Sequence, residues 1–299
     1  MDINYSFLFQ LVLNGLIIGA LYGVVAMCFV LIYKSTQVVN FAQGEFLLVG
    51  AWVCWSMLVQ YQIPFIMSFV LTLAFMTIFG YLLQTVVLRP LIGEPIISVI
   101  MVTIGLSIFF QAGIKWVFGV TPVVFPELFP VSSMNILGLQ VEVAYLLSLG
   151  FSVLIMVGFF YFFRFSRWGL AMRATAYDQQ VAQSLGVPVK TVFALSWAIS
   201  AVVSALAGVV VGITNGVSNE LAMIGIKVFP AVILGGLDSI VGAVVGGLII
   251  GVLENLAEFF DAEYLRFGNL YTIAPFYALI LILMIKPYGL FGTKDIERI

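Results

Sequence analysis

"FIMSFVLTLAFMTIFGYLLQTVVL", residues 65 to 88, runs for 24 residues without a charged side chain and stops at Arg89-Pro90. A helix rising about 1.5 Å per residue needs roughly 20 apolar residues to cross ~30 Å of hydrocarbon. The stretch meets that length and is predicted to span a membrane. Arg89 marks the interface, and Pro90, which lacks an amide hydrogen, is expected to end the helix there.

Working outward, comparable apolar runs fall at 7–33, 46–61, 96–114, 143–163, 191–213, 222–236, 240–260 and 270–286. Only 9% of the 299 residues are charged, and the mean hydropathy is +1.19. A soluble domain carries about a quarter charged residues, so this chain has too few to cover itself for water. The expected fold class is an all-α polytopic membrane protein with about 8–9 transmembrane helices. The first run, 7–33, is too long for a signal-peptide core and is expected to stay as a span. Cys28 and Cys54 lie in apolar runs and are expected to be small buried hydrophobes without a disulfide framework.

The sequence contains no histidine. That excludes haem held by paired histidines, HExxH zinc sites and Ser–His–Asp catalysis. No G-x-x-x-x-G-K-[ST] loop occurs, so ATP is not bound in that way by this chain. No catalytic residue, metal site or cofactor is expected. The net charge of −2 gives no reason to expect nucleic acid.

Lysines and arginines favour the cytoplasmic side. The loop 164–190 holds Arg164, Arg167, Arg173 and Lys190, and the tail holds Lys286, Lys294 and Arg298. Placing both inside also places Lys34 and Arg89 inside, and the N-terminus outside. The segment 116–142 then lies outside. Pro122, Pro126 and Pro130, four apart, argue for an irregular cap there rather than a helix; it serves as a structural lid or as a docking surface for an external partner. The short run 222–236 is the weak point of the count, being either a span or re-entrant.

Gly15, Gly19 and Gly23 share one helix face and predict close packing by another backbone. "VVNFAQGEF", residues 38–46, sets Asn40, Gln43 and Glu45 where a span should start. Two readings stand: a cytoplasmic loop with Glu45 among headgroups, or the inner mouth of a pathway, since irregular polar backbone at membrane depth belongs beside protein or a water-filled cavity. In "FPAVILGGLDSIVGAVVGGLIIG", residues 229–251, Gly235-Gly236 before Asp238-Ser239 predicts a turn, an N-cap and a new helix packed through Gly242, Gly246 and Gly247. Glu254 and Glu258 share a face of that helix. They are either interfacial, with Lys227 as a partner for one of them, or intramembrane acids in a proton or solute pathway.

"RATAYDQQVAQSLGVPVKTVFA", residues 173–194, is the least apolar stretch. Residues 173–185 predict one amphipathic helix, with Ala174, Val181, Ala182 and Leu185 grouped and Asp178, Gln179, Gln180 and Gln183 mostly opposite. Gly186 would cap it and Pro188 bars continuation. A helix resting on lipid favours large apolar residues and abundant basic ones; Gln, Ala and one Asp suit a protein groove better.

This stretch with the span after it resembles the cytoplasmic loop and following span of branched-chain amino-acid ABC permeases of the leucine/isoleucine/valine type. "VVNFAQGEF" is similar to their Asn-Phe-Ala-x-Gly-Glu segment, "IGIKVFPAVILGGLDSIVGAVVGG" to their late Gly-rich segment, and "KPYGLFG" to their C-terminal end. The resemblance implies a single transmembrane permease domain over 1–299 in the bacterial inner membrane, with its C-terminus cytoplasmic. It further implies a binding-protein-dependent importer of branched-chain or related amino acids that has no catalytic activity of its own. The implied partners are a second homologous permease, two cytoplasmic ATPase subunits and a periplasmic solute-binding protein. The polar helix would be the cytoplasmic coupling helix, with Ala176, Asp178, Gln179, Gln180, Val181, Ala182, Leu185 and Gly186 meeting the ATPase. The Glu-Ala-Ala-x-x-x-Gly core common in ABC importers keeps only Ala182 and Gly186, with Gln180 and Val181 replacing the acid and the first Ala. The translocation pathway is expected at Asn40, Gln43, Glu45 and Glu254. The alternative is a secondary transporter or channel working without ATP, which would rely on Glu254, Glu258 or Lys227.

Overall fold

The structure, a computed structural model, describes residues 5–126, 133–136, 139–266 and 268–293. Each apolar run carries one α-helix: α1 (Tyr5–Thr36), α2 (Gln43–Trp55), α3 (Phe65–Leu83), α4 (Ile96–Phe118), α5 (Val143–Phe165), α8 (Val189–Asn215), α9 (Met223–Gly235), α10 (Ile240–Phe260) and α11 (Leu270–Ile285). The loop 164–190 holds α6 (Arg167–Tyr177) and α7 (Gln179–Ser184). Six helices among the described residues, those beginning with α1, α3, α4, α5, α8 and α10, are long and apolar enough to cross a bilayer. The thirteen residues of α9 rise only about 20 Å, short of a full crossing.

Two boundaries differ from expectation. The helical backbone of α3 does not stop at Arg89-Pro90. It passes through a π-turn, Gln84–Leu88, into a 3-10 turn, Arg89–Leu91. Pro90 sits in the first turn of that last piece, where an amide hydrogen has no intrahelical acceptor to lose. The second helix begins at Gln43 rather than near Phe46, so its polar residues are helical.

The segment 116–142 is irregular only in part. α4 runs to Phe118, and Val123 then bridges Val217 by two backbone hydrogen bonds of 2.9 and 2.7 Å. Strands β1 (Ser133–Ile136) and β2 (Leu139–Glu142) form an antiparallel hairpin with Ser133 opposite Glu142. Pro130 and Glu127 lie outside the described residues, as do Lys294 and Arg298.

The chain divides into two compact units. The first comprises Met1–Val30, Phe129–Met156 and Lys227–Ile299; the second comprises Leu31–Leu128 and Val157–Ile226. In the first unit the expected glycine face of α1 meets α10. A Cβ at Gly15 would lie 2.7 Å from the Val252 Cα, and one at Gly19 would lie 2.8 Å from the Leu248 Cα. Gly247 and Gly251 answer from α10, while Gly242 and Gly246 face Gly235 and Ala231 of α9. Small residues on two sides of α10 thus let two backbones approach it at once. Without a hydrophobic driving force between helices in lipid, such close contact supplies the packing energy.

In the second unit α8 is the central post. It packs against α2 and α3 and is almost wholly buried. Gly50, Gly80 and Gly208 make room there: a Cβ at Gly80 would meet the Trp197 carbonyl at 2.6 Å, and one at Gly208 the Leu47 Cα at 2.9 Å. Phe46 stacks edge-on to Trp197, with ring centroids 6.0 Å apart. The outward faces of α3 and α4 expose Ile66, Val70, Ile78, Leu82, Ile97, Met101 and Ile108, a density of apolar side chains that suits lipid or a partner helix and not water.

Candidate functional site

The polar segment is two helices, not the single helix expected over 173–185. The break is at Asp178, in extended conformation with φ −156° and ψ 115°. Its carboxylate accepts from the amides of Gln180 at 2.8 Å and Val181 at 2.9 Å, which starts α7 anew. Asp, a strong N-cap former, competes with helix continuation by this means. Ser166 caps α6 likewise, accepting from the Gly169 amide at 2.8 Å. At the other end Gly186 has φ +87°. Its amide bonds to the Gln183 carbonyl and the Val187 amide to the Ala182 carbonyl, both at 3.0 Å. That is the glycine-terminated motif the sequence predicts.

The apolar residues of this segment separate. Met172, Thr175 and Ala182 are buried, and α6 and α7 pack on α8. Val181 and Leu185, expected to group with Ala182, instead point outward, with exposures of 52% and 79%. Tyr177, four residues before Val181, is 94% exposed. Gln180 and Gly186 are exposed too; Ala174, Ala176 and Gln179 are partly covered. The corrected division follows from the break at Asp178, which turns α7 relative to α6 so that one helical wheel no longer applies across both.

The start of α2 is a buried polar knot. The Asn40 amide donates to Gln43 Oε1 at 3.0 Å, and its own oxygen accepts from the Ala42 amide at 3.0 Å. The Gln43 side-chain nitrogen donates to Ser200 Oγ at 3.0 Å and to Ser204 Oγ, while Ser200 Oγ donates back to Gln43 Oε1 at 3.1 Å. Asn40 and Gln43 are fully buried. Glu45, in the first turn of α2, is buried as well, not in a loop among headgroups. Its Oε1 accepts from Ser107 Oγ at 2.9 Å, and its Oε2 has no hydrogen-bond partner among the described residues. Gly44 permits this burial by lying directly on Ala222 and Gly225.

In the first unit Glu254 is buried within the protein. The Tyr22 hydroxyl donates to its Oε2 at 2.7 Å, and its Oε1 has no hydrogen-bond partner among the described residues. Lys227 lies within electrostatic reach of it, although the ammonium sits over the Tyr271 ring, 5.1 Å from the centroid.

The turn after α9 forms as predicted, with Gly236 at φ +107° and Ser239 capping α10 at 3.0 Å. The chain end clasps it. The Leu290 amide bonds to the Leu234 carbonyl at 2.8 Å, Phe291 to Gly235 at 3.1 Å, and Thr293 to Asp238 Oδ2 at 3.1 Å. Sequence reasoning missed Tyr22, Ser107, Ser200, Ser204 and Thr293. Only Ser200 and Ser204 carried a signal: Ser196, Ser200 and Ser204 recur every fourth residue in an otherwise apolar span.

Glycine-packed apolar helices long enough to cross a bilayer, with carboxylates buried among them, make this an integral membrane protein. The chain matches the model of the family described as branched-chain amino acid transport system / permease component over residues 11–286. It belongs to that family, whose members are permease subunits of ABC importers and leave ATP hydrolysis to separate subunits. It is 33% identical to the high-affinity branched-chain amino acid transport system permease protein BraD of Pseudomonas aeruginosa, covering 99% of both chains. It is 30% identical to LivH, the permease protein of the same name in Salmonella typhimurium, over the whole of both chains. A probable branched-chain amino acid transport permease protein LivH of Methanocaldococcus jannaschii is 27% identical over 97% of this chain and 95% of that one. The fold is similar to a chain of PsaBC from Streptococcus pneumoniae in complex with Fab, with TM-score 0.50 and 16% identity over 92% of this chain and 91% of that chain.

Proposed function

We propose that this permease imports branched-chain or related amino acids across a bacterial inner membrane. It does so with a second homologous permease, two cytoplasmic ATPase subunits and a periplasmic solute-binding protein. The N-terminus lies outside and the C-terminus inside. α7 is the coupling helix, and the observation that carries this reading is the exposed apolar series Tyr177, Val181 and Leu185 on a segment flanked by Arg164, Arg167, Arg173 and Lys190. Exposed apolar side chains mark a contact surface, and the uncharged Gln180 and Gln183 with Asp178 beside them suit a protein groove better than lipid. Ala176, Asp178, Gln179, Gln180, Ala182 and Gly186 shape and hold the helix that presents them.

ATP binding closes the ATPase pair, shifts α7 and so favours one transmembrane state over another, because the nucleotide binds the two states unequally. Asn40, Gln43, Glu45 and Glu254 belong to the pathway. Each carboxylate keeps one oxygen unpartnered, and an unpaired acceptor in a membrane interior is costly. An α-ammonium passing on a solute satisfies it.

The test is purification of the tagged chain from native membranes in mild detergent, with companions identified by mass spectrometry. A second permease and P-loop ATPases in comparable amounts are expected, with ATP-dependent uptake of L-leucine after reconstitution with the binding protein. Recovery of the chain alone would sink the proposal.

A further inference from the structure

A cavity of about 130 Å³ opens in the second unit beside α7, between the residues that follow α1, the end of α3, the start of α4 and α8. That is roughly ten times the space one water needs, enough for a solute of amino-acid size. Its floor is apolar: Leu88, Val99, Phe193 and Trp197. Polar side chains of Thr36, Gln37, Gln84, Glu94 and Gln179 line it as well, and an apolar surface with several polar groups is the composition of a small-molecule site.

Gln84 is the decisive residue. It is 2% exposed, lines the cavity, and has no hydrogen-bond partner for its amide among the described residues. Its amide therefore offers a donor and an acceptor to the cavity rather than to a protein partner. It sits at the start of the π-turn Gln84–Leu88, an irregularity that recurs at functional positions because it re-aims a side chain out of the regular helix. Beside it Ile96 opens α4, a helix of 23 residues whose N-cap is Pro95. The amides of Ile96 and Ile97 have no intrahelical acceptor, and the positive end of the helix dipole faces that side. Glu94 stands on the rim as an exposed carboxylate.

We propose that this cavity is a second solute site, which takes a free amino acid with an aliphatic side chain and reports its presence to the coupling helix. The solute's carboxylate meets the Gln84 amide and the first amides of α4. Its ammonium meets Glu94, and its side chain lies on Val99, Phe193 and Trp197. Gln179, the first residue of α7, lines the same cavity, so occupancy bears directly on the segment that meets the ATPase. The cavity lies at the end of the unit that carries α6 and α7. A solute already delivered therefore has access, and filling the site holds α7 and slows further import. The choice of an amino acid rests on the import function proposed above; the site itself rests on the cavity and Gln84.

The experiment uses the complex as purified from native membranes, placed in nanodiscs without the binding protein. The probes are L-leucine, leucinamide, which lacks the carboxylate, and 4-methylpentanoate, which lacks the ammonium. Saturable binding of L-leucine is expected, with both analogues weaker by at least tenfold. Gln84→Leu should weaken L-leucine binding at least tenfold. Glu94→Gln should do so for L-leucine but not for 4-methylpentanoate. Val99→Trp, which fills the cavity, should abolish binding; Gln84→Leu guards against the chance that the larger side chain unfolds the protein. In proteoliposomes, L-leucine loaded on the ATPase side should slow ATP hydrolysis by the natural protein and not by Gln84→Leu, while uptake by Gln84→Leu continues. Undiminished L-leucine binding in Gln84→Leu, or no binding to the natural complex while uptake proceeds, overturns the site and leaves the importer standing. Absence of ATP-driven uptake in the fully assembled natural complex overturns the importer instead, and the binding series still decides the cavity.

Discussion

The Tyr22 hydroxyl and Glu254, 232 residues apart in sequence, meet in a buried hydrogen bond of 2.7 Å. It ties α1 to α10 at a level where both helices otherwise touch through glycines and apolar side chains. Tyr22→Phe removes the donor and leaves the carboxylate with neither oxygen satisfied. Losing a buried hydrogen bond while its partner stays buried costs about 1–3 kcal/mol, so the melting temperature in detergent should fall measurably. Glu254→Gln keeps the shape and a hydrogen-bonding group. It should assemble normally and lower leucine uptake at least tenfold; unchanged uptake would remove Glu254 from the pathway.

Backbone contact at α1 and α10 predicts a strict size limit. Gly251→Leu places a side chain on Gly19 and Gly15 and should abolish the monodisperse peak of the tagged protein in size-exclusion chromatography. Gly105 and Gly158 lie in helices with open space around them. Changing either to Ala should be neutral or stabilising by up to ~1 kcal/mol through lower chain entropy. Equal damage at all three positions would contradict the packing described.

Asp178 caps α7 through two backbone amides. Asp178→Ala should cost about 1 kcal/mol locally and loosen α7 without unfolding the spans. Val181→Asp and Leu185→Asp alter exposed side chains and should leave stability within about 0.5 kcal/mol. They should nonetheless uncouple transport, with ATP hydrolysis no longer stimulated by loaded binding protein. Normal stimulation in Leu185→Asp would argue that another surface meets the ATPase.

At the start of α2, Gln43→Leu removes the buried hydrogen bonds that Gln43 makes with Asn40, Ser200 and Ser204. Membrane-buried side-chain hydrogen bonds average ~0.6 kcal/mol each. The loss should therefore be modest, on the order of 1–2 kcal/mol, and readable as a lower unfolding midpoint in denaturant. Adding Ser200→Ala and Ser204→Ala should recover only the part due to the serines, because the buried Asn40 side-chain nitrogen still lacks the acceptor that Gln43 Oε1 supplied.

Most of the helical skeleton was legible because apolar run length is a direct consequence of bilayer thickness, and each such run carries a helix. Gly15, Gly19 and Gly23 disclosed a packing face by spacing alone. The turn at Gly235-Gly236 and the stop at Gly186 were also legible, since both positions need backbone angles that glycine tolerates. What failed was decided by tertiary geometry. Asp178 fits the polar side of a helix in a wheel and caps a new helix in the fold; local composition does not choose between them. Pro90 announced a stop that a preceding π-turn made unnecessary. Tyr22, Ser107 and Ser204 gave no sign of their partners, because partners 62 to 232 residues away leave no local pattern. The hairpin at 133–142 was hidden by the prolines before it.

The bond between Gln43 and Ser200 spans 157 residues, and that separation sets an order on biogenesis. Helices enter the membrane in the sequence in which the ribosome makes them. α2 emerges with the carboxamide that its final structure hands to α8, and α8 does not yet exist. Until α3, α4, α5 and the whole loop 164–190 have been synthesised, α2 carries a polar group that lipid cannot satisfy. It therefore has to be sheltered, either within the insertion machinery or by a temporary neighbour in the growing chain. The residue that knits the finished transporter together is the one that makes its assembly wait.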